Sequence, residues 1–273
     1  MINRLFQIIC AVGLIFVTSL AFAEISPGKT SSILNHADDC SGKMILGSFY
    51  ESESVRTLYS LIEKAEATAD LIDIQAVQAA IQQPEIKASE AFLYRYLVAR
   101  VHFAWGLFYQ NKKEAASAEA SFEKALDWTR ESIALNESFS DAHRLVGDIY
   151  GVLIDVKGPV IGPMIYGPFY GPMANHFVKK AAALDSGNPE AHLGVGRGYL
   201  YTPFLFGGSK RKAIDSMKAA IQICPFYYQG HLWLGEVYRV KGDMKQAKQS
   251  FQEALSLKPE SYWAKEVLHK VEK

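Results

Sequence analysis

His102, His143, His192 and His231 stand in matching contexts, each followed by glycine four residues on and tyrosine seven residues on. Imidazole is the commonest metal ligand and titrates near neutral pH, so a ladder of four invites a metal centre. Zinc holds its ligand nitrogens about 2.0 to 2.1 Å away. Rings on successive copies of a stacked helical unit are about 8 to 10 Å apart by helix-packing distance. The spacing therefore fits half-buried rings that pack and donate to backbone better than a shared ion. The tighter cluster His36-Ala37-Asp38-Asp39-Cys40 sits in a polar stretch with nothing to hold it rigid, and no metal is assigned there.

Other chemistry-bearing groups point away from catalysis. There is no G-x-S-x-G elbow, H-E-x-x-H pair or Walker loop. The run G-V-G-R-G at 194–198 falls inside a helical pattern, where its glycines serve packing. Asp38 and Asp39 lack an apolar setting to separate their pKa values. The expectation is no enzyme and no cofactor. Cys224 closes a helix far along the chain from Cys40, so it reads as a half-buried free thiol and not as the partner of Cys40.

The elements that position these histidines recur as a frame. His231, Leu234, Gly235, Tyr238, Ala247, Phe251, Ala254 and Pro259 are matched by His192, Val195, Gly196, Tyr199, Ala213, Met217, Ala220 and Pro225. A third copy runs His143, Val146, Gly147, Tyr150, Ala174, Val178, Ala181, with Ser186 in the proline slot, and another runs His102, Trp105, Gly106, Tyr109, Ala118, Phe122, Ala125. Positions four apart, and at i, i+4 and i+7, share one helix face, with small residues admitting a neighbouring backbone and large ones filling the space. Gly242 suits the turn between the two helices.

This frame resembles the tetratricopeptide repeat, whose 34-residue period and W-x2-L-G-x2-Y, A-x3-F, P pattern the C-terminal copy matches except at the tryptophan. The resemblance implies an all-α, right-handed superhelical solenoid of antiparallel helix pairs with capping helices. The expected organisation is a signal peptide at 1–23, a flexible segment at 24–50, N-terminal capping helices at 51–98, four repeats over 99–261 and a C-terminal capping helix at 262–273.

Two insertions, at 157–172 and 201–208, fall between the paired helices of consecutive repeats, so stacking sets them side by side on one edge. The first carries four Gly-Pro pairs and reads as a non-helical loop, because proline lacks an N–H and fixes φ. It displays Tyr166, Phe169 and Tyr170 among other apolar residues, and the second displays Phe204, Leu205 and Phe206. Such surface either covers its own helix ends or binds a partner.

The resemblance also implies a concave groove lined by the first helix of each pair. The lining places hold Arg144 and Asp148, Arg197 and Tyr201, and Glu236 and Arg239, besides Phe103, Leu107, Leu193 and Leu232. Members that clamp a C-terminal carboxylate use Lys and Asn at the fifth and ninth places, which this chain lacks, so the groove suits a helix or extended peptide.

Arg4, the apolar run to Leu20 and Ala21-Phe22-Ala23 describe a secretory leader. Cys10 lacks a lipoprotein setting. Removing the leader takes Arg4 from 29 basic residues and nothing from 29 acidic ones, so no overall field attracts nucleic acid or an anionic bilayer. Stable membrane insertion after cleavage is not expected. The expected protein is periplasmic or secreted, a scaffold binding a protein or peptide through its groove and Gly-Pro edge. The alternative is a carrier of a small apolar ligand, similar in architecture to the T component of TRAP transporters, with an enclosed cavity beneath residues 158–172.

Overall fold

The computed structural model describes residues 40–87 and 89–272. The leader, the lead-in as far as residue 39 and the side chains of the His36–Cys40 cluster lie outside the described residues. The expected flexible segment is shorter than its predicted limit of residue 50: α1 (Cys40–Leu46) is helical, a 3-10 turn spans Gly47–Glu51, and Ile45 and Leu46 are buried.

The expected N-terminal capping region begins with two helices, α2 (Glu53–Thr68) and α3 (Leu71–Ala80), followed by one helical turn at Pro84–Lys87. Ala69, in the left-handed region at φ 47°, ends α2, and the Asp70 carboxylate accepts from the Ile72 N–H at 2.8 Å to start α3. Four antiparallel pairs follow: α4 (Ala91–Asn111) with α5 (Ala115–Leu135), α6 (Ser140–Val156) with α7 (Gly167–Leu184), α8 (Pro189–Tyr201) with α9 (Lys210–Ile223), and α10 (Tyr228–Lys241) with α11 (Met244–Leu257). Helix α12 (Tyr262–Glu272) closes the stack. Starts are encoded locally. Asn188, Ser209 and Asp243 each accept from the backbone N–H three residues on, and Pro189 at the first helical position of α8 forfeits only a donor that had no partner.

The recurring slots are the packing device. A methyl group on Gly106, Gly147, Gly196 or Gly235 would lie 2.3 to 2.7 Å from Phe122, Val178, Met217 or Phe251, the large slot residue of the paired helix. Each glycine therefore sets how closely its two helices approach. The alanines flanking those large residues, among them Ala118, Ala181, Ala220 and Ala254, are fully buried.

The Gly-Pro insertion differs from its expected form. It is helical: Gly162–Tyr166 is a π-helical turn running straight into α7, with Pro163 and Pro168 in the first positions of their elements and Pro172 inside α7. A proline at a helix start costs little. The π spacing lets the Gly167 N–H reach the Gly162 carbonyl five residues back, across the donors that the prolines lack. Gly162 packs so tightly on α6 that a Cβ there would lie 2.1 Å from the Ile154 carbonyl oxygen, which only glycine permits.

Helix α2 lies in the concave face. Val55, Leu58, Tyr59, Ile62 and Ala65 join the same core as Tyr96 and Leu97 of α4, and α2 also touches α12 at the other end of the stack. N-terminal elements thus return along the inside of the solenoid. Separation along the stack is then a poor guide to distance, and the free-thiol reading of Cys224 is corrected: this residue is 1% exposed and forms a disulfide.

Candidate functional site

A polar chain crosses the concave face from the seat of α2 outward. The Glu66 carboxylate accepts two bonds at 2.7 Å from the Arg100 guanidinium, which lies 4.9 Å over the Tyr59 ring and donates to the Tyr96 hydroxyl at 3.1 Å. Tyr96 donates in turn to Asp141. Arg144 clasps Asp141 through two bonds at 2.9 and 2.7 Å, and also reaches Asp148 at 2.7 Å and Glu190 at 2.9 Å. Arg197 completes the chain by pairing with Asp148.

Burial opposes the charge on Arg144, but Asp141, Glu190 and Asp148 around it hold its pKa well above the usual value. For Asp141 burial pulls the other way, and Arg144 wins, keeping the carboxyl below the usual range. Burial and the nearby Asp141 raise Glu190 against the pull of Arg144. Four carboxylates share three guanidiniums here. Arg144, predicted as a contact residue, is 5% exposed and held by three carboxylates.

A second cluster lies on α8 and α10. Arg197 stacks 5.0 Å over the Trp233 ring, Tyr201 meets Trp233 edge-on at 6.4 Å, and Arg239 makes a two-bond pair with Glu236 at 2.7 Å. Tyr201 is 63% exposed. Of the predicted groove residues, Arg197, Tyr201 and Arg239 belong to this cluster, while the Asp148 carboxylate is nearly buried between Arg144 and Arg197. Trp233 belongs with them and was not singled out in the sequence, because it sits between the places that line the groove in an idealised repeat.

The predicted edge residues divide. Tyr170 packs at 5.3 Å on Tyr150 and at 5.7 Å on Tyr166, whose ring also lies under the Lys157 ammonium, so both tyrosines help to anchor the insertion. Phe169, Phe204 and Phe206 point into solvent, 71%, 87% and 80% exposed. The Asn175 side-chain amide of α7 donates to the Thr202 hydroxyl of the second insertion at 3.1 Å. Beside this bond lies a crevice of about 40 Å³ lined by Asn175, Lys179, Tyr199, Thr202 and Phe206.

The histidine ladder makes backbone bonds. Nε2–H of His143, His192 and His231 donates to the carbonyl six residues earlier, of Glu137, Ser186 and Pro225, at 2.9, 2.9 and 3.0 Å. Each ring thereby pins the turn that enters its own repeat. Burial lowers the pKa of His102 and His143 below the usual 6.5, aided by Lys124 for His102; for His143 the bond to Glu137 opposes burial and Lys180 assists it. A lowered histidine pKa means that the unfolded chain binds protons first, so the stabilisation is complete above pH 6.5 and is lost as the pH falls below it through the folded pKa. NMR titration should place both rings below 6.5, and His102→Asn with His143→Asn should flatten the loss of thermal stability on acidification. Each unit of depression carries about 1.4 kcal/mol.

The tetratricopeptide repeat family model matches residues 99–132 and 228–261, the α4/α5 and α10/α11 pairs. No curated protein matches the sequence. Among solved structures, a thermophilic tetratricopeptide-repeat protein of Thermus thermophilus, TTC0263, superposes with a TM-score of 0.54 at 16% identity, covering 78% of this chain and 98% of its own. YrrB, described as a repeat protein with an unusual peptide-binding site, matches at 16% identity over 79% of this chain and 97% of its own, with a TM-score of 0.33. MamA matches at 18% identity over 68% and 90%, also with a TM-score of 0.33. The fold is that of a helical-repeat solenoid, and two of its helix pairs match the tetratricopeptide repeat.

Proposed function

We propose that this protein is an exported, non-catalytic scaffold that captures a peptide or short helix in its concave groove, with the apolar edge as a second contact surface. The observation that carries this reading is the cluster of Arg197, Tyr201, Trp233 and Arg239 beside α2. Tryptophan, tyrosine and arginine dominate binding energy at protein interfaces. The neighbouring stretch of the same surface already seats a helix, α2, so its curvature suits one. The exposure of Phe169, Phe204 and Phe206 on this edge favours a contact surface over an enclosed cavity.

Peptides selected from a display library against the intact protein provide the test. Tyr201→Ser and Arg239→Ala change side chains that reach solvent, so folding should be retained while peptide affinity falls about tenfold or more for each. Unchanged affinity in both variants would place the binding surface elsewhere.

A further inference from the structure

The edge has a chemistry of its own. Val160, Ile161, Met164, Ile165 and Phe169 of the first insertion are each more than half exposed, and Leu205 at the tip of the second reaches 89%. Asn175 of α7 donates to Thr202 of the second insertion, and Phe206 and Lys179 line one small crevice. No acidic residue occurs from 156 to 184 or from 191 to 214, so both insertions are free of negative charge along with their flanks.

Cations border the tips. Lys210, Arg211 and Lys212 open α9 directly after the Phe204–Phe206 turn, with no acid in that first turn. The Lys210 ammonium donates to the Val240 carbonyl and that of Lys212 lies 5.3 Å over the Tyr199 ring, so no carboxylate pairs with them among the described residues. Lys179 of α7 lines the same crevice as Phe206. Protruding phenylalanine and leucine side chains ringed by unneutralised lysine and arginine match a bilayer boundary: the apolar tips enter the acyl region while the cations meet phosphate. A protein partner would have to supply both an apolar cleft and a matching acidic rim.

Resting on the reading of this edge as a contact surface, we propose that it docks the protein on the surface of an anionic membrane. No helix of the described residues is long and apolar enough to cross a bilayer, so the docking is peripheral. The overall near-neutral charge does not oppose it, because the attraction is local and acts within about 10 Å.

Co-sedimentation of the intact protein with phosphatidylcholine vesicles, and with vesicles of equal parts phosphatidylcholine and phosphatidylglycerol, tests this. The protein should partition onto the anionic vesicles and release as salt is raised. Combined Phe204→Ser, Leu205→Ser and Phe206→Ser should weaken partitioning about a hundredfold, given the transfer energies of three large apolar side chains. Because those side chains are 80% to 89% exposed, circular dichroism and thermal midpoint should be unchanged. Arg211→Glu with Lys212→Glu should remove the preference for phosphatidylglycerol. Groove peptides should bind all these variants normally, so failure here is separable from failure of peptide capture. Absence of vesicle binding, or equal binding by the triple variant, would overturn the proposal. Loss of peptide capture in the triple variant without any lipid binding would assign the edge to a protein partner.

Discussion

Arg144→Ala should destabilise the protein by about 3–5 kcal/mol, the usual cost of stripping the partner from buried charges. Arg144 answers Asp141, Asp148 and Glu190 together, from three helical turns on two helices, and all three carboxylates are nearly sealed from water. Removing the guanidinium leaves only Arg197 on Asp148 and the Tyr96 and Asn188 bonds on Asp141. Urea unfolding followed by circular dichroism measures the loss. Arg144→Lys retains the charge but loses the two-bond clasp on Asp141, and should fall between the wild type and the alanine variant. A shift of less than about 1 kcal/mol for Arg144→Ala, the range of an exposed pair, would mean that water reaches this cluster.

Gly235→Leu should be damaging for a different reason. A Cβ at that position would be 2.5 Å from the Phe251 ring and 3.2 Å from the Ala247 carbonyl oxygen, so the ring and the backbone of α11 both have to give way before the rest of the leucine is placed. Overpacking of this kind costs about 1–3 kcal/mol and sometimes more. Gly151→Ala is the matched control. Its Cβ would meet nothing within 4 Å in the middle of α6, and alanine is the better helix former by roughly 1 kcal/mol, so that variant should melt higher. An unchanged midpoint for Gly235→Leu would mean that α10 and α11 are not held at the distance described here.

Much of this was readable from the chain because periodicity reports burial directly. The slot glycines and their large partners were identified by spacing alone, and each pair is found in contact. The groove was read as a row of places; of these Tyr201 and Arg239 reach solvent, whereas Arg144, Asp148 and Leu193 are buried or nearly so. What could not be read is where α2 goes. Its apolar residues recur at three and four whether the helix caps the end of a stack or lies along the inside, and only tertiary contacts distinguish the two. That one ambiguity concealed the structural role of Arg144 and, by making Cys224 look remote, its disulfide. The Gly-Pro insertion was misread for another reason. The cost of proline in a helix depends on position, and Pro163 and Pro168 occupy first turns joined by a π step that a rule based on composition does not anticipate.

The return of α2 along the inside of the solenoid changes the kind of mechanical object this is. A repeat stack normally behaves as a line, where each unit feels only its neighbours and the ends fray independently. Here α2 binds α4 at one end and meets α12 at the other, like a string drawn across a bow. Loosening the last helix relaxes contacts made by the first, so the two ends share one fate.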